Sequence, residues 1–286
     1  MVRFNYIFII IVLLFSCESV EKSKKEKVET KFLVNNQFQE ILDKAKLEGA
    51  ILVYDLYKDV YYSNDFDWCK KGNLPASTFK IPNSIIALET EVVKSDSTIF
   101  KWDGESRFLK VWEQDLLFKE AFYYSCVPCY QEVARKIGVE RMKSNLEKLA
   151  FGSMDVNETT LDNFWLEGKS KISQFEQIDF LKRLYNSSLP ISKRTDSIVK
   201  KMMVLSKNNL FTLRGKTGWS IRGEENNGWF VGYVLVKSNV FFFATNVVPQ
   251  KSFSMEFFNK ERKEVTFKAL DVLKILRENE SFVTKQ

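Results

Sequence analysis

The chain has 286 residues, enough for one large domain or two closely packed ones, and 45% of them are hydrophobic, so a sizeable core is available. Its formal charge of +6, from 43 basic and 37 acidic residues, is mild and forms no long basic block in the body, which gives nucleic-acid binding no support. There is no histidine, and that absence excludes Ser-His-Asp hydrolases, Cys-His proteases and histidine-ligated zinc enzymes.

Residues 1–17 read as a signal peptide. Arg3 supplies the positive start, and Tyr6 to Phe15 is an apolar run shorter than the ~20 residues of a spanning helix. It ends Leu14-Phe15-Ser16-Cys17, which resembles a bacterial lipobox with cleavage before Cys17 and lipidation of its thiol; secretion without lipid is the alternative. Residues 18–34 read as a charged tether. The body, residues 35–286, is then exported to the periplasm, with membrane contact only through the lipid.

Asn35 to Leu47 has the apolar spacing of an amphipathic helix ended by Gly49. Ala50–Asp55 and Val60–Ser63 read as the strands of a hairpin. Asn83–Val93 is helical, Ser95–Arg107 is loop and Glu113–Phe122 is a short helix. Tyr130–Ile137 is a helix with Pro128 in its first turn, a favoured place. Glu140–Leu149 is another, Ser173-Gln174-Phe175-Glu176 is a capping box that opens a helix ending near Pro190, and Ser192–Val204 is one more. From Asn209 the pattern turns to strands at Leu210–Leu213, Gly228–Lys237 and Val240–Val248, with a closing helix at Lys263–Arg277. The predicted fold class is α/β of the α+β type: an antiparallel sheet built from both chain ends, flanking helices and an inserted helical subdomain over about 76–204.

The chemistry gathers at Pro75-Ala76-Ser77-Thr78-Phe79-Lys80-Ile81-Pro82. Residues three apart share a helix face, so Ser77 and Lys80 meet, and the free N–H groups of a helix start suit an oxyanion forming at Ser77. A serine needs a base, and a lysine serves only if burial strips its charge. Tyr123-Tyr124-Ser125-Cys126-Val127-Pro128 places a second serine before a helix, where it either caps that helix or relays a proton. Lys216-Thr217-Gly218 either forms an ordinary turn or brings a cation and a hydroxyl to a strand edge, with a glycine that admits close approach and suits a substrate carboxylate. Cys126 and Cys129 have redox-motif spacing without a βαβ setting and lack further ligands for a metal; buried thiols are the first reading for Cys69, Cys126 and Cys129, a disulfide the second.

Ser-x-x-Lys, a Ser-x-Val about 45 residues on and a Lys-Thr-Gly about 90 beyond it resemble the penicillin-recognising serine enzymes. The segment Ser77 to Ser84, Ser125-Cys126-Val127, Trp165-Leu166-Glu167-Gly168 and Lys216-Thr217-Gly218-Trp219 are similar to the motifs of class D, oxacillinase-type serine β-lactamases. The family's Tyr-Gly-Asn is Phe151-Gly152-Ser153 here.

The resemblance implies a serine β-lactamase/DD-transpeptidase-like fold and hydrolysis of penicillin-type β-lactams, giving antibiotic resistance. Ser77 would be the nucleophile and Lys80, N-carboxylated by CO2 or bicarbonate, the general base. Trp165 would hold the carbamate, and Val127, Phe79 and Leu166 would form an apolar wall. The N–H groups of Ser77 and Trp219 would form the oxyanion hole. Ser125 would pass a proton to the lactam nitrogen beside Lys216, and Thr217, Gly218 and Arg262 would face the substrate. No metal or bound cofactor is expected, and the chain would act as a monomer or homodimer. The rivals are a β-lactam sensor, whose further membrane segments are missing from the sequence, a peptidoglycan DD-peptidase, against which Val127 argues, and a secreted domain without activity.

Overall fold

The computed structural model describes Met1 and residues 30–276 apart from Glu224 and Ser238. The signal segment, Cys17 and most of the tether lie outside the described residues. β1 (Lys31–Val34), α1 (Asn36–Lys44), β2 (Leu47–Asp55), β3 (Val60–Ser63) and α2 (Phe66–Lys70) open the fold, and one 3₁₀ turn, Ala76–Phe79, runs into α3 (Lys80–Glu89). A small two-stranded sheet of β4 (Ile99–Phe100) and β5 (Leu116–Leu117) precedes α4 (Phe118–Tyr123), α5 (Val127–Ile137), α6 (Val139–Leu149), α7 (Gln174–Tyr185) and α8 (Lys193–Met202). Then come β6 (Val204–Lys207), β7 (Phe211–Arg222), β8 (Glu225–Val236), β9 (Asn239–Pro249) and α9 (Phe258–Val272).

Seven strands form one sheet in the order β1-β3-β2-β9-β8-β7-β6. The two ends of the body meet at β2 and β9, which pair antiparallel from Leu47 opposite Pro249 to Asp55 opposite Phe241. Both faces of the sheet are covered, so the middles of its central strands, Ala50–Asp55, Gly228–Val234 and Phe242–Val247, are buried in successive positions rather than in every second one. Because side chains alternate along a strand, Ala50, Leu52 and Tyr54 of β2 join Trp229, Val231 and Tyr233 of β8 in the core beneath the helical insertion. Ile51 and Val53 join Phe230, Val234 and Phe243 in a second core closed by α1 and α9. Each fully buried Val, Leu or Phe contributes about 1.5–3 kcal/mol.

Several boundaries differ from the sequence reading. The expected tether stops short of residue 34, since Lys31–Val34 pairs parallel to β3 and Phe32 stacks on Tyr61 at 5.3 Å. That strand is also the sheet's departure from an all-antiparallel arrangement. α1 ends at Lys44 because Lys46 turns left-handed, φ 54°, and the apolar Leu47 is already in β2. Gly49 caps no helix. It lies in β2, where a Cβ would stand 2.2 Å from the Asn246 carbonyl. The predicted helix from Glu113 begins only at Phe118, after β5. α8 stops at Met202, and Val204 starts the edge strand β6. Arg262 lies inside α9, which begins at Phe258 and not at Lys263.

Candidate active site

The 3₁₀ turn decides how Ser77 meets Lys80. In that geometry residues three apart eclipse, and Lys80 Nζ donates to Ser77 Oγ at 3.1 Å. Pro82 falls in the first turn of α3, where its missing N–H has no helical partner to lose. Ala76, immediately before the serine, is left-handed with φ 49°. Such a residue costs about 1–3 kcal/mol and persists only where its surroundings hold it. Three elements do so: Ala76 N–H donates to the Trp165 carbonyl at 2.8 Å, Trp229 Nε1 to the Leu74 carbonyl at 2.8 Å and Gln177 Nε2 to Thr78 Oγ1 at 2.9 Å.

Lys80 is buried, with no acidic partner among the described residues, and burial alone pushes its ammonium down to about 7. Its Nζ lies 4.9 Å from the centre of the Tyr130 ring, whose hydroxyl is 2.7 Å from Ser84 Oγ. Phe79 stacks on Trp165 at 5.4 Å and meets Phe164 edge-on at 4.8 Å, which fixes the indole plane. Trp165 Nε1 is buried, and among the described residues nothing accepts its hydrogen. Val127 and Leu166, the other expected wall residues, are half-buried.

Ser125 sits between α4 and α5 and is left-handed as well, φ 56°. Lys216 Nζ donates to its Oγ at 2.5 Å across 91 residues of sequence. Burial pushes the Lys216 ammonium well down, and the charges of Lys80, Arg262 and Lys263 push it the same way. Lys-Thr-Gly is not a turn; it sits at a strand edge, beyond the reach of β6. It lies within β7, paired on one side with β8. Lys216 and Gly218 share the face toward the Ser77 turn, and a Cβ on Gly218 would stand 2.9 Å from the Pro75 carbonyl and 3.3 Å from the Ala76 methyl. What approaches this glycine from within the protein is the nucleophile turn.

Thr217 and Trp219 alternate to the face that α9 covers. There Arg262 donates to the Gly218 carbonyl at 2.5 Å and to Asn259 Oδ1, with its guanidinium 5.6 Å from the Trp219 ring. Trp219 also packs on Phe258 at 5.3 Å. The structure therefore assembles Ser77, Lys80 and Trp165 as one group, Ser125 and Lys216 as a second, and Gly218, Trp219 and Arg262 as a third.

The cysteine reading is corrected. Cys126 and Cys129 form a disulfide, Cα–Cα 5.4 Å, because their spacing places both on one face of the first turn of α5. Cys69 is a buried thiol, pushed up to about 12 by burial. Tyr130, Gln177 and Trp229 were missed. Each is an ordinary helix or strand residue in sequence, and only Ser84, one turn after Lys80, hinted at a polar contact there.

The penicillin binding protein transpeptidase domain family matches residues 34–270. The chain is 43% identical to the β-lactamase OXA-48 of Klebsiella pneumoniae over 71% of its own length and 76% of that protein's, and 43% identical to OXA-10 of Pseudomonas aeruginosa over 65% and 70%. This chain belongs to the class D β-lactamases. Solved structures agree: the class D β-lactamases YbXI from Nostoc and that of Sebaldella termitidis ATCC 33386 both superpose with a TM-score of 0.80 at 39% identity, covering 84% and 87% of this chain and 99% and 100% of theirs. The family is one of hydrolases acting on the β-lactam amide bond, and its fold is the penicillin-recognising fold read from the motifs.

Proposed function

We propose that the protein hydrolyses penicillin-type β-lactams through an acyl-enzyme on Ser77, with Lys80 N-carboxylated, and so confers antibiotic resistance. The observation that carries the reading is the contact of Ser77 Oγ with a lysine that burial alone brings to about neutrality near pH 7. Only a neutral amine takes up CO2, and the unpaired indole N–H of Trp165, held by Phe79, is a donor suited to the resulting carbamate. That donor set fits a carboxylated lysine, and the carbamate, once formed, supplies a carboxylate-like proton acceptor beside the serine.

Ser77 Oγ forms the bond to the lactam carbonyl carbon and gives up its proton to the base. The oxygen gains negative charge and is received by the N–H groups of Ser77 and Trp219. The C–N bond then breaks, and Ser125 passes a proton to the nitrogen, with Lys216 Nζ holding the serine oxygen in place. Thr217 and the remaining donors of Arg262 take the substrate carboxylate, in a pocket whose positive charge comes from Arg262 and Lys263. Water completes the cycle by attacking the ester. Val127, Phe79 and Leu166 keep bulk water off Lys80, which preserves its neutral form. No resident cofactor or nucleic acid enters the reading, and the protein works as a monomer or homodimer.

The same proposal places the body in the periplasm, from the β1 strand at Lys31 onward, with cleavage before Cys17 removing residues 1–16, Cys17 as the lipidated residue and 18–30 as the tether. Metabolic labelling with a fatty acid is expected to mark the wild type and not Cys17→Ser; unlabelled wild type would leave secretion without lipid.

The test of the reaction is intact mass of the protein mixed with benzylpenicillin, alongside product release with and without bicarbonate. A transient adduct on Ser77 with continuous, bicarbonate-boosted release is expected. A stable adduct without release would point to a sensor or transpeptidase, and no adduct would overturn the reading.

A further inference from the structure

Ser125 follows the short helix α4, whose Phe118, Ala121 and Phe122 are buried, and precedes a turn closed by a disulfide. The preceding Tyr123 and Tyr124 are 60% and 39% exposed, and α4 is only six residues long. The tie on that side is backbone: Ser125 N–H to the Phe122 carbonyl at 3.2 Å, with Trp112 Nε1 donating to the Tyr124 carbonyl at 3.0 Å. On the other side, Cys126 is buried, donates its N–H to the Ala121 carbonyl at 2.9 Å and caps α5, its sulfur accepting the Cys129 N–H at 3.2 Å. The disulfide then fixes this capping residue covalently to the first turn of α5. The next residue, Tyr130, is fully buried and anchors the helix through its hydroxyl at Ser84 Oγ, with its ring 4.9 Å from Lys80 Nζ, independently of the sulfurs. A left-handed, non-glycine serine between an exposed segment and a stapled one is a place where the staple decides position.

We propose that the Cys126–Cys129 disulfide is a positioning element for Ser125, holding its Oγ in reach of the leaving lactam nitrogen, so that opening the bond slows acylation and leaves deacylation intact. The inference rests on the proton-transfer role proposed above for Ser125. Deacylation draws on Lys80 and water, and the surroundings of Lys80 are held mostly outside the stapled turn, by Phe79, Trp165 and Tyr130, with Val127 the one wall residue inside it. A small dithiol opens the bond by exchange: the S–S bond breaks, two electrons and two protons end on the two cysteines as thiols, and the reagent closes to its own disulfide. In an exported protein the oxidised form is the working form.

Two variants separate the staple from the cap. Cys129→Ala keeps the Cys126 sulfur at the helix start, and Cys126→Ser keeps an oxygen there. Acylation is read from rapid mixing with a chromogenic β-lactam and deacylation from decay of the Ser77 adduct mass. Because a misplacement of about 1 Å reaches ~100-fold, both variants are expected to acylate about tenfold more slowly while deacylating within about twofold of wild type. Dithiol-treated wild type, with two further thiols counted by alkylation after denaturation, is expected to match them and to recover on reoxidation; it also serves if a variant fails to fold. Wild-type acylation in both variants, loss confined to Cys126→Ser, or both steps slowing together would overturn the proposal. Ser125→Ala tells the two failures apart. If it acylates normally, the reading of Ser125 has failed rather than the role of the disulfide.

Discussion

The site contains two serine–lysine pairs, built in opposite ways. Ser77 and Lys80 are three residues apart, and helical geometry alone brings them to 3.1 Å. Ser125 and Lys216 are 91 residues apart and meet at 2.5 Å only because α4, α5 and β7 pack as they do. Their electrostatics differ as well. Lys80 is displaced from its ordinary range by burial alone, whereas Lys216 is displaced by burial and by three neighbouring cations. Burial and like charges both favour the neutral amine, so what divides the two lysines is their setting: Lys80 lies against Ser77 in an apolar enclosure, whereas Lys216 is bound to Ser125 beside Arg262 and Lys263.

The largest effect that bears on this division is loss of the nucleophile. Ser77→Ala is expected to lower kcat by at least about 10⁴-fold with no adduct by intact mass, and a variant that still turns over would dissolve the first pair as a catalytic unit. The sharpest test of the division pairs Lys80→Ala with Lys216→Ala. The first is expected to retain slow acylation and lose deacylation by about 10³-fold, leaving a persistent adduct, while the second slows acylation by about 10²-fold and deacylates what it forms. Reversed phenotypes would exchange the two roles.

Trp165→Phe keeps the ring on Phe79 and deletes only the unpaired N–H. A hydrogen bond to a charged group is worth about 1.5–3 kcal/mol, so the bicarbonate needed for half-maximal activity is expected to rise roughly 10- to 100-fold with little change in Tm. An unchanged bicarbonate response would detach the indole from Lys80.

The smallest effect is the pH response. With Lys80 near 7, its neutral fraction falls to about one tenth by pH 6, so bicarbonate stimulation in kcat measurements is expected to grow as pH drops below 7. The stability sign is the reverse of a salt bridge. The unfolded lysine, at 10.5, holds a proton that the folded one lacks between about 7 and 10.5, so this group favours the folded state increasingly as pH rises through that window. Thermal unfolding of wild type against Lys80→Met across pH 7–10 checks it, with the gap shifting in favour of wild type.

What was legible in the sequence follows the same local–distant divide. The Ser77–Lys80 pair, the Ser173 capping box, realised as Ser173 Oγ accepting from Glu176 N–H, and the strands β8 and β9 rest on neighbours within a few residues and were read, whereas β6 was missed and β7, read only to Leu213, runs on to Arg222. The motif order supplied the Ser125–Lys216 pairing by resemblance, not by any local signal. The supports of the Ser77 turn were not legible. Gln177 and Trp229 act through contacts across 99 and 155 residues, and no periodicity encodes those. The β1 strand was missed because four exposed residues beside a charged run carry no burial pattern, and their partner is set by the far side of a hairpin.

The contact at Gly218 has a consequence for how such an enzyme diversifies. The strand lies so close to the nucleophile turn that no side chain fits between them. The spacing of that wall is therefore a fixed gauge, set by two backbones in contact and closed to adjustment by substitution at 218. Selection for new drugs is left with the opposite and outer margins, where Trp102, Phe108 and Ile221 are exposed and free to change size. Variants with altered substrate range are accordingly expected to carry their changes around that margin and to leave the Pro75-to-Gly218 contact intact.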